Sequence, residues 1–336
     1  MSLGQTESKF VTELSTDSFI DVYKKALVEK VDLGEVGKVR IIGSFGRNDA
    51  NQESDMDVWI ITNKRTSLAT ISRISDEEIA VREDLKEKFG YPNLTRHRAT
   101  IFSREEADLY ESTFSVRVGS IRTTGESTTI WGGTEAPVVI PTLVDLVASI
   151  EEFDALYDIA EKGLNGISSR KYARRVCKEM KYITEGVRLN SNAEVDAEIS
   201  INYNNSPAEV MEESRQVRDQ LYLSGLDPVE VARRKIAYIC MFTMEKVRWE
   251  LTYGLADPQI LENWRKGISR LYAFYPKKIK EFVCQTAEQL GIDPTEELEQ
   301  IEKISTEPVS PDLLEEFNRV NTDWMLLATR KALNGS

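Results

Sequence analysis

Two aspartates one residue apart, Asp55 and Asp57, precede the apolar run Val58-Trp59-Ile60-Ile61. Side chains on a strand alternate between faces, so both carboxylates are expected on one side, about 6 to 7 Å apart along the chain. A divalent cation relieves the repulsion between such a pair. Mg²⁺ in particular takes oxygen ligands from one or two carboxylates and fills its shell with substrate phosphates. Upstream, Ile42-Gly43-Ser44-Phe45-Gly46-Arg47 ends a second apolar run at a glycine. A strand that stops there can present backbone N–H groups and the Ser44 hydroxyl at a helix start, which favours phosphate. Gly43 lets a phosphate approach the backbone, and Arg47, within a helical turn, adds charge-assisted hydrogen bonds to a triphosphate.

The elements that must position these residues can be read on either side of them. Residues 10–28 carry apolar side chains at helical spacing, Val39-Arg40-Ile41-Ile42 is a strand ending at Gly43, and residues 56–62 form the strand at whose start the aspartate pair lies. A helix is expected over residues 75–89, with Ser75 and Glu78 as its capping box and Gly90-Tyr91-Pro92 as its stop. Residues 98–102 make a weaker strand, Ser103 and Glu106 a second capping box, and residues 121–131 a loop or edge hairpin. Beyond Pro141 the signals are helical. Ser206-Pro207, Asp257-Pro258, Asp293-Pro294 and Ser310-Pro311 each set an N-cap residue before a proline at the first helical position. The polar, asparagine-rich residues 190–205 read as the longest loop. The fold class is therefore α+β, strands mixed with flanking helices and followed by an all-α part.

The Gly-Ser turn followed at this spacing by Asp-x-Asp resembles the signature of the DNA polymerase β-like nucleotidyltransferase superfamily. Within it, the chain looks most like the aminoglycoside and lincosamide nucleotidyltransferases. The likeness covers residues 39–62 by motif and extends to about residue 140 by architecture. It implies a nucleotidyltransferase catalytic domain over residues 1–142, built on a mixed sheet with flanking helices, and a helical substrate-binding domain over residues 143–336. It further implies that Gly43 and Ser44 contact the nucleotide phosphates, and that Asp55 and Asp57, the catalytic pair, ligate two Mg²⁺ ions. The expected reaction moves a nucleoside monophosphate, AMP from ATP in the commonest case, to a hydroxyl of a small molecule and releases pyrophosphate. Family members usually add a third carboxylate from a later strand. Residues 98–102 hold no acid, and Glu105, Glu126 and Glu135 are the nearest candidates. An incomplete site would leave a catalytically impaired nucleotide-binding or protein-partner module. A change of acceptor would leave a nucleotidyltransferase acting on protein, RNA or a nucleotide.

Charge bears on the partners. Lys plus Arg number 43 against 56 Asp plus Glu, a net −13, which disfavours nucleic acid and anionic membrane and suits a cationic acceptor such as an aminoglycoside, hence antibiotic resistance. Glu151, Glu152, Asp154 and Asp158 are the carboxylates available to such an acceptor. Against that background, residues 170–188 are basic, with an apolar stripe of Tyr172, Val176, Met180, Ile183 and Val187. Lys171 and Lys178 on its other faces are candidate nucleotide-binding residues, and an ordinary exposed face balanced by acidic neighbours is the competing account. No Walker loop occurs. The only histidine, His97, excludes sites built on two histidines and reads as a surface or structural residue; Trp59 and Trp131 read as packing residues. Cys177, Cys240 and Cys284 lack metal or disulfide spacing and are expected as buried apolar residues in a reducing compartment. The longest apolar stretch, residues 236–244, is too short for a membrane span, and the protein is expected in the cytoplasm.

Overall fold

Val39 and Ile41, with Val58 and Ile60, alternate with Arg40, Ile42, Asp57 and Trp59 along two short strands, and that period-two pattern builds the sheet. The computed structural model describes residues 16–46, 48, 50, 54–113, 127–132, 141–163, 168–189, 191–267 and 275–334. Strand β1 (Val36–Ile42) pairs antiparallel with β2 (Asp57–Thr62) and with β4 (Ser127–Trp131), and β2 pairs parallel with β3 (Thr100–Ser103). The result is a mixed four-stranded sheet in the order β3-β2-β1-β4. Helices α1 (Thr16–Lys30) and α3 (Leu68–Phe89) send Phe19, Tyr23, Leu27, Ile71, Ile74 and Val81 into one core with Val39, Ile41, Val58 and Ile60. A single turn, α2 (Gly43–Gly46), follows β1, and α4 (Arg104–Ser112) follows β3. Trp59 is buried edge-on against Phe102, 5.5 Å between ring centroids, and Trp131 packs against the core.

The chain forms two compact units. One takes in Met1–Ala107 and Ile121–Pro137, the other Asp108–Ser120 and Val138–Ser336. The second is helical: α5 (Leu143–Glu161), α6 (Ser169–Glu185), α7 (Asn192–Asn202), α8 (Pro207–Leu223), α9 (Pro228–Ala256), α10 (Pro258–Arg265), α11 (Pro276–Leu290), α12 (Thr295–Thr306) and α13 (Pro311–Asn334). Ser206, Asp257 and Ser310 each accept a backbone N–H from the first turn of the helix that follows. Asp293 does the same for Thr295, so α12 opens one residue after its proline. The stripe of α6 is buried at Tyr172, Val176 and Met180 against α5, α7 and α8. Among the described residues no helix is long and apolar enough to cross a membrane.

Several expectations change. Helix α3 starts at Leu68 under an Ser67 cap, because Leu68, Ile71 and Ile74 already belong to its buried stripe, so Ser75 and Glu78 lie inside the helix. The Ser103–Glu106 capping box does form, in both directions. Residues 192–202 are helix rather than loop, since Ser191 caps them and Val195 and Ile199 find a core. Cys177 and Cys240 are buried, but Cys284 is exposed, because it lies off the face of α11 that buries Ile279 and Val283. Arg47, Glu126, Glu135 and residues 10–15 lie outside the described residues.

Candidate active site

Strand register brings the two halves of the motif together. Ile42, the last residue of β1, stands opposite Asp57, the first of β2. The chain then turns at Gly43, whose φ of 70° is a left-handed conformation that glycine adopts without steric penalty. A Cβ placed there would stand 3.4 Å from Asp57 Oδ2, so the turn's backbone and this carboxylate are immediate neighbours. Ser44 follows, partly exposed. Phe45 then anchors the turn: it is fully buried, with its ring centroid 5.1 Å from that of Phe19 and 5.4 Å from that of Tyr91. Thr128 on β4 donates a 2.9 Å hydrogen bond to the Gly46 carbonyl at the turn's far end.

The aspartate pair is fixed from behind. Met56 is fully buried, while Asp55 and Asp57 on either side of it stay partly exposed. The Met56 carbonyl accepts a 3.0 Å hydrogen bond from Arg82 Nη1, a guanidinium with no solvent exposure. The same nitrogen donates to the Leu94 carbonyl at 2.8 Å, and Nη2 donates to Glu78 Oε2 at 2.7 Å. Tyr23 on α1 completes the set by donating its hydroxyl to Glu78 Oε1 at 2.7 Å. Burial, and then the Glu78 charge, push the Tyr23 phenol well above its ordinary pKa and keep it a donor. Burial opposes the charge on Arg82, but Glu78, Tyr23 and Asp57 outweigh it, so the guanidinium holds its proton more tightly than usual.

The loop that contains Leu94 also delivers His97. Its Nε2 stands 3.3 Å from Asp55 Oδ2, with both side chains partly exposed. The hydrogen bond from His97 draws the Asp55 carboxyl below its ordinary pKa against the opposing effect of burial, with help from the His97 and Arg96 charges. The lone histidine is exposed, as its reading as a surface residue expects, and from there it also meets Asp55. No local signal marked it, because forty-two positions separate the two residues along the chain. Arg82 and Glu78 did leave a trace: they occupy the buried stripe of α3, four residues apart, where apolar side chains are the rule.

The acidic candidates for a third carboxylate separate by topology. Strand β3 runs parallel to β2, Trp59 beside Thr100 and Thr62 beside Ser103, so the chain leaves β3 at the end remote from Asp57. Glu105 follows that exit, about 16 Å of strand away from Asp57. Strand β4 instead opens at Ser127, paired with Ile42 at the Asp57 end. Among the described residues no three His, Cys, Asp or Glu side chains gather in a cage that could hold a metal ion.

The basic helix α6 is partly neutralised within its own unit. Arg170 and Arg174 both grip Asp196 of α7, and Lys181 pairs with Glu185 and with Glu198 of α7. Lys171 is exposed and Lys178 half-buried on the same helix. The carboxylates expected to receive a cationic acceptor are largely engaged. Glu151 bonds Lys235 and Tyr222, and Asp154 and Asp158 bond Arg215.

Residues 20–106 match the family model of the nucleotidyltransferase domain, a span that contains Gly43, Ser44, Asp55, Asp57, Arg82 and His97. No curated protein and no solved structure matches the chain. The family match supports nucleotidyl transfer as the general activity of the first unit.

Proposed function

We propose that this protein is a Mg²⁺-dependent nucleotidyltransferase that moves a nucleoside monophosphate, AMP from ATP, to a hydroxyl of a small molecule. The observation that carries the reading is the contact between the Gly43 turn and the Asp57 carboxylate, with Asp55 two positions before it in the chain. A turn that offers N–H groups beside a carboxylate pair suits a metal-bound triphosphate, since the metal offsets repulsion between carboxylate and phosphate. The donor set fits a hard cation: Asp55 and Asp57 supply oxygens, and phosphate oxygens and water would supply the rest. Bound there, Mg²⁺ ions would polarise the α-phosphate and stabilise the departing pyrophosphate.

The chain's own residues bind and orient. Gly43 and Ser44 would hold the triphosphate, Phe45 keeps their turn rigid, and Arg82 keeps the aspartates in place. The acceptor oxygen attacks the α-phosphorus in line, the bond to the β-phosphate breaks, and the hydroxyl proton passes to a carboxylate base. Glu105, Glu126 and Glu135 remain the candidates for the third acid. Arg47, Lys171 and Lys178 remain candidate phosphate ligands on their charge.

Titration calorimetry with ATP and Mg²⁺ tests the site. Binding should be measurable, and Asp55→Asn combined with Asp57→Asn should abolish its metal-dependent part; unchanged binding in that variant would remove the assignment. Lys171→Gln with Lys178→Gln should weaken ATP binding if these lysines reach phosphate, and leave it untouched if they only cover α6. Pyrophosphate release should be screened with aminoglycosides, lincosamides, nucleotides, RNA and protein acceptors. The antibiotic acceptor falls if none of the first two classes is modified. The lack of an acid in residues 98–102 motivates one other reading, a module that binds ATP and releases no pyrophosphate with any acceptor.

A further inference from the structure

We infer that Arg82 is a positioning residue of the nucleotidyl-transfer site, setting the Asp55-Met56-Asp57 segment against the loop that carries His97; the inference rests on the function proposed above. Its guanidinium reaches two backbone carbonyls from separate chain segments with one nitrogen, Met56 at 3.0 Å and Leu94 at 2.8 Å. The Met56 carbonyl belongs to the peptide that leads into Asp57. If that peptide rotates, the Asp57 carboxylate swings away from Gly43. Leu94 lies three residues before His97, so the second hydrogen bond fixes the base of the loop from which His97 meets Asp55.

The rest of the cluster holds the guanidinium itself in one orientation. Glu78 takes Nη2 with one carboxylate oxygen and the Tyr23 hydroxyl with the other, so α1 and α3 together decide where Arg82 points. All three side chains are essentially without solvent exposure. A buried ion pair is weak evidence for stability, since apolar residues of the same volume often serve as well. What apolar residues cannot do is bind two carbonyls at once. A lysine, with one compact ammonium, cannot hold the forked geometry that reaches Glu78 and both carbonyls together.

The consequence is read on metal affinity in the full chain, with Mn²⁺ alone as the probe and its free form measured by electron paramagnetic resonance. Folding is checked in parallel by circular dichroism. Arg82→Lys should raise the Mn²⁺ dissociation constant about 10-fold, the loss usual for a partner that orients metal ligands. The Mn²⁺ concentration giving half-maximal pyrophosphate release should rise by the same factor, with kcat at saturating metal retained. Tyr23→Phe, which removes a single hydrogen bond from Glu78, should shift affinity in the same direction by about 3-fold. Unchanged Mn²⁺ affinity in folded Arg82→Lys overturns the inference. Should Arg82→Lys fail to fold, unchanged affinity in Tyr23→Phe overturns it. Asp57→Asn separates the two levels. If it binds Mn²⁺ like the wild type, the site itself is wrong; if it loses Mn²⁺ while both other variants keep it, only the role of Arg82 falls.

Discussion

Glu297 gives the second unit a stability that falls with pH. It lies on α12 with no solvent exposure, accepts a 2.7 Å hydrogen bond from Asn321 of α13 at Oε1, and leaves Oε2 buried without a hydrogen-bond partner among the described residues. Burial, only partly offset by Asn321, raises its pKa from 4.5 to about 7. A carboxyl raised in this way stabilises the fold while it holds its proton: the benefit is complete below the unfolded value and is lost as pH climbs through the folded one. Each pH unit of that window is worth about 1.4 kcal/mol, so the second unit should lose about 3 kcal/mol between about pH 4.5 and about pH 8. Glu297→Gln keeps the size and the acceptor for Asn321 but cannot ionise. Any cost of burying the amide N–H groups is the same at every pH and cancels in the comparison. Urea unfolding followed by circular dichroism at the two ends of the range should show the wild type losing those about 3 kcal/mol relative to the variant. Trp324, whose indole donates to the Asp293 carbonyl beside α12, offers a fluorescence reading of the same region. Parallel pH profiles for the two proteins would refute the reasoning.

Gly43→Ala should cost about 1 to 2 kcal/mol of stability through its left-handed backbone, and its methyl, 3.4 Å from Asp57 Oδ2, would crowd the space between turn and carboxylate. The variant should fold and bind ATP with Mg²⁺ more weakly by calorimetry; wild-type affinity would mean that nucleotide does not lie against this turn. His97→Ala should return the metal-free Asp55 carboxyl towards its ordinary value, followed by carbon NMR as pH falls. The wild type's small stabilisation from this pair exists above the unfolded pKa and disappears as pH drops through the lowered one, so the variant should differ from it only above that range. Asp196→Asn releases Arg170 and Arg174 together and should destabilise the second unit by up to about 1 kcal/mol, since both pairs are partly solvated. No change in its thermal midpoint would show that the basic face of α6 is not held this way.

Much of the outcome was legible in linear sequence where local rules act. The strands around Gly43 and Asp57, the Ser103–Glu106 capping box and the proline-led helices follow from short-range patterns of apolar spacing and backbone donors. Where the sequence misled, burial from afar was the cause. Glu78 looks like the third residue of a new helix, yet it is an interior residue of α3 because Tyr23 and Arg82 satisfy it. Residues 192–202 look like a polar loop, yet Val195 and Ile199 are enough to seat them as a helix on a core.

The sequence by itself determined which groups the proposed site would offer to a metal and a phosphate: a carboxylate pair at the head of a strand and a glycine-serine turn. Those properties depend on residue type and on separations of a few positions. Only the tertiary structure decided what holds them there. Strand pairing set Asp57 beside Gly43, a buried arginine tied Met56 to Leu94, and the single histidine came to Asp55 from a distant loop. The reason is physical: a hydrogen bond between residues far apart in the chain depends on how helices and sheet pack, and no periodicity along the chain records it.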